Sequence, residues 1–145
     1  MMRIAAAFIC DAASVREGLL NVLGAGISIV YRQAYPAPMA ASLVLLAEAT
    51  ETADYNTDFS FTVDIARADG TGEPLGHVDG GWNVQPLVKE LHLDMETSNY
   101  VPVIVPLDQL ALPEPTVYSV AIDLKGVESR TIRFRAVEAG PELQS

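Results

Sequence analysis

Positive charge is scarce in this chain of 145 residues: nine lysines and arginines face nineteen aspartates and glutamates, a formal net charge of −10. Binding to a phosphate backbone needs basic side chains to displace counterions, so this balance excludes nucleic acid as an expected partner. It also disfavours an anionic membrane surface, and no window approaches the roughly 18 apolar residues of a membrane-spanning helix. Cysteine is nearly absent. Cys10 alone cannot close an internal disulfide, so the core must be built from the hydrophobic half of the composition. The opening MMRIAAAFICDAAS has the small residues of an export signal, but its apolar run from Ile4 to Cys10 is short and ends at Asp11. A cytoplasmic location is expected.

Catalytic signatures are missing too. The chain has no G-x-S-x-G, no phosphate-binding G-x-x-x-x-G-K, no G-x-G-x-x-G and no C-x-x-C. Gly24 and Gly26 in NVLGAGISI precede no helical pattern. A stripe of period 3.6 longer than two turns is also lacking, and PLDQLA at 106–111 offers a single helical turn at most.

What the chain has is alternation. In DFSFTVDIA, Phe59, Phe61, Val63 and Ile65 fall on one face, with Asp58, Ser60, Thr62 and Asp64 on the other. TVYSVAIDL, TIRFRAV and KELHLDM repeat the pattern, as half-buried antiparallel strands do. Glycine-bearing turns at 68–73 and 125–129 separate the strands, and nine prolines discourage helix. The runs at 3–10 and 41–47 are apolar on both faces, as in central strands of a covered sheet. Residues 11–18 read as the connection of a first hairpin between 3–10 and 19–24, with Asp11 accepting backbone N–H bonds in the turn. The fold class that follows is all-β: a single antiparallel β-sandwich of roughly eight to ten strands with little or no helix. The domain spans 1–138, and 139–145 form a frayed tail. The polar segment 49–58 is its most mobile loop.

Five features bear on chemistry. Cys10 shares a strand face with Ile4, Ala6 and Phe8, and neighbouring Asp11 disfavours a thiolate, so it reads as packing rather than as a nucleophile. Two His-x-Asp pairs, His77 with Asp79 and His92 with Asp94, each place an imidazole and a carboxylate on one strand face. Joined by Glu90 and brought into register, they would hold a divalent metal, the one cofactor the sequence suggests. Acidic residues crowd positions 48–96 without the D-x-[DN]-x-[DN]-G pattern of a calcium loop, and read as a solvated surface. Arg133 and Arg135 form the basic cluster, suited to cross-strand acids, a neighbouring subunit's acidic face or a carboxylate ligand. Trp82, after Gly80 and Gly81, either plugs one end of the core, stacks a sugar or sits in an interface.

The stretch CDAASVREGLLNVLG, the prolines at 36 and 38, and LALPEPTVYSVAIDLKG at 110–126 together resemble an uncharacterised family of small, mainly actinobacterial all-β proteins. Leu20 and Thr116 depart from that pattern. The resemblance implies an all-β sandwich and no activity, so it transfers no functional residue. The function expected on these grounds is a non-catalytic binding or protein-interaction module, self-associating or serving a protein partner. The alternatives are a structural subunit of a larger, phage-derived or particle-like assembly, and a metal-binding protein or metal-dependent enzyme using the two His-x-Asp pairs.

Overall fold

The alternating segments become strands whose apolar faces meet across one core. A computed structural model describes residues 1–85 and 98–139. In chain order the strands are β1 (Arg3–Cys10), β2 (Ala12–Arg16), β3 (Leu19–Leu23), β4 (Ile29–Arg32), β5 (Ala37–Pro38) and β6 (Ser42–Ala49), then β7 (Asp58–Arg67), β8 (Gly76–Asn83), β9 (Asn99–Pro106), β10 (Ala111–Leu112), β11 (Val117–Leu124) and β12 (Glu128–Glu138). The fold is all-β. The one helical piece among the described residues is a 3₁₀ turn at Thr52–Asp54.

Two principal sheets form, one ordered β1-β6-β9 and the other β4-β12-β11-β7-β8, with two-stranded pairs β5–β10 and β2–β3. The strands exceed the roughly eight to ten expected from turn spacing, because β5 and β10 are two-residue bridges that leave no periodic trace. Of the pairings between these strands, one is not antiparallel: β4 runs parallel to β12. The inward face of β11 supplies Tyr118, Val120, Ile122 and Leu124, none more than 1% exposed. These join Val63 and Ile65 of β7, Leu43 and Leu45 of β6, and Ile4 and Ile9 of β1 in a single apolar cluster. Each such aliphatic side chain contributes about 1.5–3 kcal/mol on full burial.

A bulge between Ile4 and Ala6 shifts the register of β1 on β6. The sequence expectation that Ile4, Ala6, Phe8 and Cys10 share a face fails there, because the extra residue reverses the alternation. Ile4 and Ile9 both reach the core, and Cys10 is buried outside that cluster. Beside the bulge, the Ile4 backbone turns to the other sheet: its N–H donates to the Glu128 carboxylate, and its carbonyl accepts from Arg130 Nη2 at 3.1 Å. The two sheets are therefore tied by polar as well as apolar contact.

The segment 11–18 is not a loop. It forms β2, which turns back through Glu17 (φ 53°) and Gly18 (φ 76°) into β3. A two-residue turn with both φ values positive matches the twist of a tight hairpin. β1 consequently pairs with β6 rather than with 19–24. Asp11 closes the hairpin base through its backbone N–H, which donates to the Leu23 carbonyl at 3.0 Å. PLDQLA is likewise a turn after β9, with Leu110 N–H donating to the Leu107 carbonyl, and no helix forms there. The expected strand KELHLDM lies outside the described residues. Ala139, just beyond the expected domain end, donates its N–H to the Arg32 carbonyl.

Tyr118 is the largest buried polar side chain, and its hydroxyl is satisfied. It donates to the Glu114 carbonyl at 2.6 Å, and the Glu114 N–H donates to it at 3.3 Å. Its ring lies against Phe134 at 5.5 Å between centroids. Tyr118→Phe removes both hydrogen bonds to the backbone of exposed Glu114, so urea unfolding should show a loss of about 1 kcal/mol. Tyr31→Phe, at an exposed phenol, should change stability by less than about 0.5 kcal/mol.

Candidate functional site

The outer face of the five-stranded sheet collects most of the polar residues singled out in the sequence. Alternation points Arg133 and Arg135 of β12 outward, and register sets them opposite Ser119 and Val117 of β11. Arg135 is flanked on its other side by Ile29 of β4. The expected cross-strand carboxylates are thus absent from their register, and among the described residues neither arginine has an ion-pair partner.

The opposite half of the same face is acidic. Asp64 of β7 lies directly across from His77 of β8, and Asp79 follows two residues along β8. His77 Nδ1 lies 2.5 Å from Asp64 Oδ1, and Nε2 lies 3.0 Å from Asp79 Oδ2. His77 and Asp79 do share a face, as the i, i+2 spacing requires, and Asp64 is the partner that sequence spacing did not disclose. The hydrogen bond to Asp64, then that to Asp79, raises the imidazole pKa. With each ring nitrogen facing a carboxylate, the imidazole has no nitrogen directed elsewhere. Among the described residues, no group of three or more His, Cys, Asp or Glu is placed to hold a metal ion. Glu90, His92 and Asp94 lie outside the described residues.

Trp82 points the other way, into the end of the core. Its ring packs 6.1 Å from Phe59 and 5.7 Å from Phe61. The preceding glycines permit this. A Cβ on Gly80 would strike the Phe61 ring, and one on Gly81 would lie 2.7 Å from the Phe59 carbonyl oxygen. The expected close approach is present, although β7–β8 pairing runs through it without a bulge. Cys10 is buried, and desolvation, reinforced by Asp11, pushes its thiol pKa up. A thiol in that state is a poor nucleophile.

The acidic loop 49–58 is more ordered in its bonding than its composition suggests. Asp54 is 3% exposed and accepts the N–H groups of Thr50 and Glu51 at 2.8 and 3.1 Å. Its carboxylate caps the 3₁₀ turn, and the N-terminal ammonium lies 3.5 Å away.

A second surface carries no charge cluster and was not legible as a site. The β2–β3 hairpin forms a sheet of its own, and it exposes Val15, Leu19 and Leu23 at 44%, 68% and 72%. Leu19 and Leu23 share one face with Ala12, Ser14, Arg16 and Asn21, and Val15 lies on the opposite face with Ala13, Leu20 and Val22. The available signal was VREGLL, where Glu-Gly marks a two-residue turn between alternating segments.

These features define an all-β domain whose two principal sheets carry a polar outer face and a separate apolar hairpin. The chain belongs to DUF6941, a family of unknown function, whose model matches residues 5–137. That match runs from β1 into β12 and contains both surfaces. A search of curated proteins finds no match.

The paired carboxylates make His77 a reporter. Its NMR titration should have a midpoint above the usual value of about 6.5, and Asp64→Asn should lower that midpoint more than Asp79→Asn. Because the folded pKa is raised, the stabilisation from this cluster is complete below the unfolded value. It disappears as pH rises through the folded one. A midpoint unchanged in both variants would show that the carboxylates do not contact the ring in solution.

Proposed function

We propose that the chain is a non-catalytic protein-interaction module that docks through its β2–β3 hairpin. The observation that carries this reading is the exposure of Leu19 and Leu23 on a two-stranded sheet. A lone hairpin is marginally stable in water, so leucines more than two-thirds exposed on one are costly unless a partner covers them. The pairings of β2 and β3 with each other leave the outer edge of each strand free of backbone partners among the described residues. Free edges and exposed alternating side chains suit addition of a strand: main-chain bonds give affinity, and apolar side chains give specificity. The occupant is an extended apolar segment of a partner protein, paired along β3. A partner of this kind also accords with a net charge of −10, which opposes nucleic acid and anionic lipid alike.

A photo-cross-linking residue placed at 19 or 23 should yield one protein adduct that the same residue at 125 does not. Excess unlabelled wild-type chain should compete it away. The Leu19→Lys/Leu23→Lys double variant should fold with the wild-type circular dichroism spectrum yet fail to compete. An identical adduct from position 125, or equal competition by the double variant, would remove the hairpin from the interface.

A further inference from the structure

The five-stranded sheet ends on β4, and we infer that this edge takes an extended, acidic segment of a partner protein as an added strand. The parallel ladder decides which backbone groups are free. Arg135 N–H donates to the Ser28 carbonyl, and Ala139 N–H donates to that of Arg32. Arg135 is in register with Ile29, and Val137 with Tyr31. In that ladder Val30 and Arg32 turn their N–H and carbonyl groups toward β12, so Ile29 and Tyr31 aim theirs away from the sheet. The Tyr31 carbonyl accepts from Arg32 Nη1. The Ile29 N–H and carbonyl and the Tyr31 N–H have no hydrogen-bond partner among the described residues.

A groove of about 370 Å³ opens along this edge, with β4 as one wall and Asp11, Met39, Ala40 and Ala41 as the other. Arg32 spans it, donating to the carbonyls of Pro38 and Met39. Charge names the occupant. Arg133 and Arg135 stand exposed on β12 beside β4. Among the described residues, neither they nor Arg32 has an ion-pair partner. Each keeps unused hydrogen-bond donors suited to a carboxylate.

Strand geometry sets the pattern of the segment. A strand added to β4 lies about 9.6 Å from β12, twice the spacing of neighbouring strands. Its residue opposite Ile29 shares the outer face with Arg135, and the residue two positions away is level with Arg133. Arginine and glutamate side chains reaching over Ile29 close that gap. Farther along, the row of Val137 and Tyr31 is apolar. The residues between point into the groove, toward Met39 and Ala41, where Asp11 opposes an acid. The segment that fits therefore alternates, with carboxylates outward at i and i+2 and small apolar residues between them. This edge shares no residue with the β2–β3 hairpin, so it stands or falls apart from the hairpin's role.

The probe is a synthetic peptide, Gly-Glu-Val-Glu-Val-Glu-Gly with both ends blocked, titrated against the full chain. Saturating peptide should slow hydrogen exchange at the Ile29 and Tyr31 amides at least about tenfold more than at Val30, whose amide β12 already holds. Arg133→Glu/Arg135→Glu should keep the wild-type circular dichroism spectrum and weaken binding at least about tenfold. Raising salt from about 0.02 M to about 0.5 M should also weaken it. Leu19→Lys/Leu23→Lys should bind the peptide as wild type does. Methylating the peptide nitrogens that face β4 should abolish binding: those of the glutamates for an antiparallel strand, those of the valines for a parallel one. No binding at millimolar peptide, undiminished binding by Arg133→Glu/Arg135→Glu, or undiminished binding of both methylated peptides overturns the proposal. So does protection of the Ile29 and Tyr31 amides in the chain alone, and protection that rises with concentration would make the occupant a second copy.

Discussion

Everything outside the core is set by the demand that β11 bury one face completely. Tyr118, Val120, Ile122 and Leu124 are shielded only if β7 and β12 flank them and the β1-β6-β9 sheet covers them. That arrangement uses one face of the five-stranded sheet and leaves the other to solvent, with period 2 dictating which residues face out. The positions of Arg133, Asp64 and His77 are thus consequences of core packing. Their chemistry is a surface property fixed by a buried pattern.

The second sheet obeys a different balance. β6 is buried along almost its whole length: one face meets the core, β1 and β9 flank it, and the hairpin base approaches where β2 meets β6 and β9. The bulge in β1 makes this workable. It turns Ile9 inward and lets the Ile4 backbone bond with Glu128 and Arg130 on the opposite sheet. Beyond its base the hairpin has no core to join. Its outward leucines are the most exposed large apolar side chains among the described residues.

Strand identity was legible wherever one face is wet and the other dry. Residues 58–66 and 117–124 show clean alternation, and both became strands in the expected phase. Legibility failed where local geometry breaks periodicity. A bulge reverses phase without changing composition, so Cys10 was assigned to the face of Ile4. In the hairpin at 12–23 one face is apolar, but the other mixes Leu19 and Leu23 with Ser14, Arg16 and Asn21, and its short first strand passed for a connection. At the polar face, the His77–Asp79 spacing was readable because it lies within one strand. The pairing with Asp64 depends on register between strands, which no spacing along the chain reveals. The arginine pair was visible in RTIRFR, but its lack of a facing acid was likewise a matter of register.

Hydrogen exchange on the purified monomer tests most directly whether this fold is a core with a docking arm. Backbone amides of β11 and β6 open only with global unfolding if they belong to the single core, whereas a two-stranded arm opens locally. The hairpin amides between residues 12 and 23 should therefore exchange at least about a hundredfold faster than those of β11. They should slow toward the core rate only once a partner covers them. Hairpin amides as protected as those of β11 in the free monomer would contradict the docking arm, and would make the hairpin an integral part of the fold.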